Sequence, residues 1–339
     1  MDNRDVMFSV IVPCYNVVSH INETVASLNK AIDSACTTVE VIFVNDGSTD
    51  KTLDVLNEIC SNKPSYRVID QENGGVSNAR NTGIRESTGK YILFLDSDDT
   101  YKNNIFSILS NISFSDDIVF FSYEKIDQSG NTRVYTIPNS YMAENSITVL
   151  KDLFSKKKKK IYLNICALAV NRDCIFQNNI FFDESIQHCE DLQFIIKMIT
   201  YSKSFQFINE PLFTYNYTPG SAVNSKVDEK HYSKFIAFEN MRDVFIKNDK
   251  YKELIPAYDF YVATVYLLLL KTIVSNGVVN NKQLSKFVEY SFILKRKMEL
   301  PPNTMGAFVL IFKIINYIFP MKVKFLMMSF ILRMNKGLR

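Results

Sequence analysis

Tyr91-Ile92-Leu93-Phe94-Leu95 is apolar without a break and stops abruptly at Asp96-Ser97-Asp98-Asp99. An apolar run of this length after the Gly89 turn signal reads as a buried strand. In an open α/β sheet, ligands bind just beyond the carboxyl ends of the strands, where Asp96, Ser97 and Asp98 would sit. Side chains two apart on extended backbone point the same way, so Asp96 and Asp98 can converge on one ligand. Neighbouring carboxylates repel unless a cation or hydrogen-bond donors compensate. A divalent ion carrying a phosphate is one such compensation, because hard cations take oxygen ligands. An acidic turn after a strand is the plain alternative, and the preceding chain decides between them.

Phe8-Ser9-Val10-Ile11-Val12 reads as a first strand stopped by Pro13, and Val39 to Val44 as a second. Tyr66 to Ile69 makes a third. Between them, Ile21, Val25, Leu28 and Ile32, then Leu53, Leu56 and Ile59, recur at helical spacing. Ser19 is a candidate cap for the first helix, and Ser48 or Thr49 for the second. Helix also follows Asn73-Gly74-Gly75, through Ala79 and Ile84. Strand and helix alternate with short links, the pattern of a mostly parallel sheet with right-handed crossovers.

Each early loop therefore lies at the carboxyl end of a strand. Pro13-Cys14-Tyr15-Asn16, Asp46-Gly47-Ser48 and Asp96-Ser97-Asp98 should line one crevice. Tyr15 can stack a nucleobase, and Asp46 can accept from a base N–H. Asn73-Gly74-Gly75 lets backbone approach a ligand, and Arg80 can pair with phosphate. Taken singly, each of these residues is better explained by turn chemistry or a solvated surface. Their joint placement on successive strand ends favours a site.

The second half is less regular. Asp117 to Ser122 reads as a strand, Ile161 to Val170 as strand or buried helix, and Phe205 to Ile208 as a strand ended by Asn209-Glu210-Pro211. Glu190-Asp191 opens a helix with Leu192, Ile195, Ile196 and Ile199 on one face. Tyr258 to Val274 is apolar nearly all round but bracketed by Asp259 and Lys271, which suits a buried helix rather than a membrane span.

Four segments taken in order now carry a resemblance. They are Ser9-Val10-Ile11-Val12-Pro13-Cys14-Tyr15-Asn16, Val44-Asn45-Asp46-Gly47-Ser48-Thr49-Asp50, Glu72-Asn73-Gly74-Gly75 with Ala79-Arg80-Asn81, and Phe94-Leu95-Asp96-Ser97-Asp98-Asp99. Together they resemble the family-2 inverting glycosyltransferases of the GT-A fold, of bacterial surface-polysaccharide type. The resemblance implies a Rossmann-like α/β catalytic domain, a nucleotide-diphosphate sugar donor (usually a UDP-sugar) and Mn²⁺ or Mg²⁺. It implies that Tyr15 and Asp46 meet the base with Pro13 and Asn16 nearby. Asn73 and Arg80 would hold the nucleotide, Asp96 the ribose, and Asp98 the metal, with Ser97 between them. The family's general base stands in a Glu-Asp pair opening a helix, which maps to Asp191 in Cys189-Glu190-Asp191-Leu192. Acidic residues also commonly satisfy a helix start, and a carboxylate there is kept ionised and weakly basic. His188 is an adjacent candidate for a base or for acceptor contact, and is more readily read as an incidental loop residue. The family often has an Arg or His after a Tyr-rich strand; Tyr215-Asn216-Tyr217-Thr218-Pro219-Gly220-Ser221 has neither.

The expected organisation is a catalytic domain over 1–222, with a nucleotide-sugar half over 1–104 and an acceptor half over 105–222. A helical extension over 223–304 and a basic amphipathic tail over 305–339 follow. The net charge of +3 is too small to suggest nucleic-acid binding, but the six residues Lys313, Lys322, Lys324, Arg333, Lys336 and Arg339 follow Glu299 with no acidic residue among them. Apolar stretches either side of Pro320 with only basic charge describe helices lying on an anionic membrane surface, or a hairpin packed on the protein or on a second subunit. Scattered cysteines without CxxC spacing, and a polar start at Met1 to Met7, fit a cytosolic protein. Lys156 to Lys160 reads as a solvated loop or a contact for an anionic acceptor.

The expectation is a cytoplasmic, membrane-peripheral, metal-dependent transferase acting on a lipid-linked glycan, open to oligomerisation. The alternatives are a wall-polymer or protein acceptor, and a non-catalytic subunit binding nucleotide sugar.

Overall fold

A computed structural model describes residues 6–111, 116–138, 145–154, 161–218, 229–275, 285–286 and 289–318. The Lys156 to Lys160 run, Pro219 to Ser221 and the second apolar stretch of the tail lie outside them. The chain divides into two compact units, one of Met1–Val149, Lys159–Ile186 and Glu190–Asn224, the other of Leu150–Lys158, Gln187–Cys189 and Ser225–Arg339.

The first unit begins as the alternation predicts. Strands β1 (Phe8–Cys14), β2 (Val39–Asp46), β3 (Tyr66–Gln71) and β4 (Tyr91–Phe94) alternate with helices α1 (Ile21–Asp33), α2 (Thr52–Ser61) and α3 (Val76–Glu86). β1 pairs in parallel with β2 and β4, and β2 with β3. After the short β5 (Thr100–Tyr101) and helix α4 (Ile105–Ser110) come β6 (Ile118–Ile126), β7 (Thr132–Tyr135) and α5 (Ser146–Phe154). Then follow β8 (Leu168–Asn171), α6 (Arg172–Gln177), α7 (Glu190–Tyr201) and β9 (Phe205–Tyr215). The sheet order is β3-β2-β1-β4-β8-β6-β9-β5, with β7 hydrogen-bonded to β6. β8 runs antiparallel between β4 and β6 and so joins the two halves of the sheet.

Several boundaries move for identifiable reasons. β1 continues through Pro13 to Cys14, because β4 pairs with β1 only as far as Ile11↔Phe94. Beyond that point one side of β1 is open, and a residue without an N–H costs no ladder bond there. β9 likewise runs through Pro211, at an irregularity where Ile208 pairs Phe121 but Pro211 pairs Ser122. Neither expected cap acts as one. α1 starts after His20 and α2 after Lys51, both without a side-chain cap bond, while the Asp50 carboxylate accepts from Thr52 N–H at 2.9 Å. Of the Ile161 to Val170 stretch, only the last residues form β8.

Helix α3 lies against the sheet through Gly83, where a Cβ would stand 2.3 Å from Ile11 Cγ2 on β1. That close approach places the functional face of α3 beside the strand ends.

The second unit is helical, with α8 (Ser233–Lys247), α9 (Ile255–Ser275) and α10 (Thr304–Ile318). Asp249–Ile273 is long and apolar enough to cross a membrane by length and composition, yet 61% of its most apolar window is buried. Asp259 within it meets Arg242 at 2.8 Å and Arg296 at 3.2 Å, the internal pairing of a core helix. α10 buries Phe308, Val309, Phe312 and Ile315 and exposes Leu310, Ile311, Ile314, Tyr317 and Ile318.

Adding a methyl at the α3–β1 contact overpacks it, at a cost of about 1–3 kcal/mol. Gly83→Ala is expected to lower the unfolding free energy by that amount, read as a lower urea midpoint with an unchanged slope, and an unshifted midpoint would mean that α3 does not sit this close.

Candidate active site

The loops at the sheet's carboxyl edge enclose a cavity of about 730 Å³. Pro13, Tyr15, Asp46, Asn73, Arg80, Asp96, Ser97, Asp98 and Asp191 all line it, so the strand-end reading brings together most of the expected residues. Asn16 is not on this wall. It adopts φ +54, a left-handed conformation that asparagine tolerates. Its Oδ1 accepts from Thr49 N–H at 2.8 Å and Asp50 N–H at 3.3 Å, and its own N–H donates to Ser48 Oγ at 3.0 Å. Asn16 thus ties the β1 loop to the β2 loop, and Tyr15 beside it stands 50% exposed with its ring face available.

Asp46 is buried and builds the next loop. Its Oδ1 accepts from Gly74 N–H and the Gln71 side chain, and its Oδ2 from Gly75 N–H, each at 2.8 Å. Asn73 adds a side-chain bond to the Asp46 carbonyl at 2.9 Å. A carboxylate has about four acceptor sites, so Asp46 keeps roughly one for a ligand N–H. Gly75 at φ +85 lets the chain turn directly into α3.

β4 stops at Phe94, so strand alternation does not align Asp96 with Asp98 as the sequence suggests. A turn closed by Asp99 N–H donating to the Asp96 carbonyl at 3.0 Å does so instead. Beneath the turn, the Thr24 hydroxyl lies 2.8 and 2.9 Å from the Ser97 and Asp99 carbonyls, and its one proton is shared between them. Asn216 donates its N–H to Asp99 Oδ1 at 2.8 Å and its amide to the Asp98 carbonyl at 3.0 Å. Asp99 is 1% exposed with Oδ2 unpartnered. Burial first, then the charges of Asp96 and Asp98, push its carboxyl up to about 9. Among the described residues, the Asp98 carboxylate has no protein partner and faces the cavity.

Arg80 is the hinge of the site. It is 4% exposed and pairs with Asp96 at 2.8 Å and Glu190 at 3.4 Å, while its guanidinium lies 5.3 Å from the centre of the Phe182 ring. Phe182 in turn stacks on Phe194 of α7 at 4.2 Å. The two carboxylates keep this buried guanidinium charged against the cost of burial. The phosphate contact expected of Arg80 therefore meets a group already paired twice.

At the start of α7, burial and then the Asp191 charge push Glu190 up to about 7, opposed by Arg80. Asp191 accepts from Leu192 N–H at 2.7 Å. Its carboxyl is nonetheless raised, because burial outweighs Arg80 and the helix N–H groups. The helix-terminus expectation of an ordinary, weakly basic carboxylate is thus reversed by burial. The His188 ring stacks on His231 with centroids 4.1 Å apart, and the His188 backbone N–H donates to Ser233 Oγ at 3.1 Å.

A hard divalent cation fits the open Asp98 oxygens better than the deeper group of Asp96, Asp99 and Cys166, whose ligand atoms lie within 4.8 Å of one another. Cys166 is buried and its thiol is pushed well up by burial and the neighbouring carboxylates, and Asp96 is engaged by Arg80.

Residues missed by sequence reasoning complete the wall, among them Tyr123, Lys125, Tyr135, Asn164 and Tyr215. Thr24 supports it from below. β6 extends to Ile126, past the Ser122 expected as its end. The period-two alternation Phe121, Tyr123, Lys125 was the available signal.

Residues 9–180 match the family model described as Glycosyl transferase family 2. The uncharacterized glycosyltransferase EpsJ of Bacillus subtilis is 30% identical over 69% of this chain and 70% of its own length. The minor teichoic acid biosynthesis protein GgaB of the same organism is 28% identical over 83% of this chain, which spans only 31% of GgaB. In three dimensions the chain is similar to S. aureus TarS 1-349 in complex with UDP-GlcNAc, with TM-score 0.69, 18% identity and coverage of 97% and 91% of the two chains.

Truncating Arg80 leaves Asp96 and Glu190 without their shared cation. Breaking a buried pair costs about 3–5 kcal/mol, and the low end applies because Asp96 is 35% exposed. Arg80→Ala should lose about 3 kcal/mol in urea unfolding, and Arg80→Lys less, since one ammonium cannot grip both carboxylates equally.

Proposed function

The chain belongs to glycosyl transferase family 2, and we propose that it moves a sugar from a UDP-sugar to a hydroxyl of a lipid-linked glycan with inversion at the anomeric carbon. The observation that carries the reading is the convergence of the β4-end carboxylates and the α7 Glu190–Asp191 pair on one cavity wall, joined through Arg80. TarS 1-349 was solved with UDP-GlcNAc, which supports a UDP-sugar as donor.

On this reading Tyr15 stacks the base and Asp46 accepts a base N–H with its remaining acceptor site. Pro13 and Asn73 shape the nucleotide's bed. Asp96, held by Arg80 and about one-third exposed, offers its outer face to the ribose. Asp98 would hold Mn²⁺ or Mg²⁺, and the ion would supply positive charge against the negative charge on the departing diphosphate. Asp191 takes the acceptor hydroxyl's proton while that oxygen forms a bond to the anomeric carbon on the face opposite the diphosphate. The bond to the diphosphate breaks, and its electron pair leaves with the diphosphate. Burial suits Asp191 to this task because it makes the carboxylate a stronger base than an exposed aspartate.

Catalysis falls within 1–222 and the tail 305–339 serves location. On α10, the exposed Leu310, Ile311, Ile314, Tyr317 and Ile318 support contact of the tail with the inner face of the cell membrane, where a lipid-linked acceptor is presented. GgaB, with its teichoic acid name, supports a surface-polymer product.

Asp191→Asn should lower kcat by about 10²–10⁴-fold while leaving UDP binding intact, as expected for loss of a general base. Wild-type kcat/KM should fall on the acid side, at higher pH than an exposed aspartate would give, because burial raises the Asp191 carboxyl and its protonation removes the base. Equal donor turnover in Asp191→Asn and wild type would sink the assignment. For the membrane part, Ile314→Glu with Ile318→Glu should abolish cosedimentation with phosphatidylglycerol vesicles, and undiminished cosedimentation would remove α10 from that role.

A further inference from the structure

The cavity wall is strongly acidic. It carries Asp46, Asp96, Asp98, Glu190 and Asp191 against two cations, Arg80 and Lys125. A substrate bearing phosphate needs compensating positive charge from the protein as well as from any ion. Arg80 cannot supply it freely, since it is 4% exposed and bonded to two carboxylates. Among the described residues, Lys125 makes no ion pair. Its ammonium lies 4.6 Å from the centre of the Tyr215 ring.

The geometry points to Lys125 as the phosphate-binding cation of this cavity, resting on the glycosyltransferase reading above. β6 and β9 run parallel with Lys125 paired to Tyr215, so the ammonium stands where β9 ends. The residues that follow, Asn216 to Thr218, contain no cation of their own. Asn216 is bonded to the Asp98–Asp99 turn at 2.8 and 3.0 Å, so this end of β9 is tied to the loop that carries Asp98. A phosphoryl group beside Asp98 therefore comes within the neighbourhood of Lys125. The Tyr215 ring holds the ammonium by cation–π attraction without consuming its charge, leaving its N–H donors for oxygen. Glutamine at this position keeps polarity and length but loses the charge, whereas arginine keeps the charge.

The phosphate can belong to the donor's diphosphate or to a phosphate-bearing acceptor, and calorimetric titration of full-length wild type, Lys125→Gln and Lys125→Arg distinguishes them. The probes are UDP, uridine, inorganic pyrophosphate and glycerol 3-phosphate, each at low and high salt, with thermal melting to confirm folding. Loss of about tenfold in UDP and pyrophosphate affinity in Lys125→Gln is expected for a lost charge-assisted contact. Uridine should bind unchanged, and Lys125→Arg should restore most of the affinity. That pattern assigns the donor's diphosphate. A loss confined to glycerol 3-phosphate assigns the same cation to an acceptor phosphate. Equal binding of every phosphate probe by folded wild type and Lys125→Gln overturns the role of Lys125. Wild type that binds pyrophosphate but neither UDP nor uridine would instead overturn the UDP-donor reading while still measuring Lys125.

Discussion

A buried guanidinium can be held in a protein only by carboxylates close enough to offset its desolvation, and at Arg80 those carboxylates come from two distant parts of the chain. Asp96 lies 16 residues away and Glu190 110 residues away. One side chain on α3 therefore fixes the loop after β4 against the start of α7. Its own position depends on α3 lying close to β1, which the missing side chain of Gly83 permits. Sheet packing, helix placement and the spacing of Asp96 and Glu190 are consequently coupled through a single charge. The network also sets the acidity of its members: Arg80 pulls Glu190 and Asp191 toward the charged form while burial pushes the other way.

Around this centre, polar residues at the strand ends serve as loop builders as well as ligand contacts. Asp46 accepts three bonds from the end of β3 and the loop after it, Asn16 holds the turn before α2, and Thr24 supports the turn carrying Asp98. Turn chemistry and a binding role are usually weighed as rivals for such residues. Here the first is the means of the second, since a loop that spends its own donors on Asp46 presents fixed edges to a ligand instead of a mobile chain. Preorganisation of this sort explains why Asn16 matters to the cavity without lining it.

The sequence made the first four strands and three helices legible, because apolar runs ended in turn residues at regular intervals. Local cap chemistry was misleading. Ser48 and Thr49 looked like helix caps but are drawn to Asn16, a partner more than thirty residues away that no local pattern reveals. Prolines also misled: Pro13 and Pro211 looked like strand ends but occupy an open edge and an irregular register. Of the site, the strand-end residues and Asp191 were readable as motifs. Tyr123, Lys125 and Tyr135 were not, because their strands come together through the β6–β7 hairpin and the pairing with β9, in a region whose connections are irregular.

The balance at Asp191 shows why motif and environment have to be read together. An aspartate at a helix N-terminus, near an arginine and accepting a backbone N–H, has every local reason to stay ionised at low pH, and a base that holds its proton so weakly gains little by taking one. Burial acts on the same group in the opposite direction, and here it prevails. The outcome is a carboxylate whose proton affinity exceeds that of an exposed aspartate. Neither influence alone produces that balance. Exposure would leave the group a weaker base, and burial without Arg80 and the helix N–H would raise it further. A general base on this helix thus requires the cation that also holds Asp96, so proton removal and the placement of the β4 loop rest on the same buried charge.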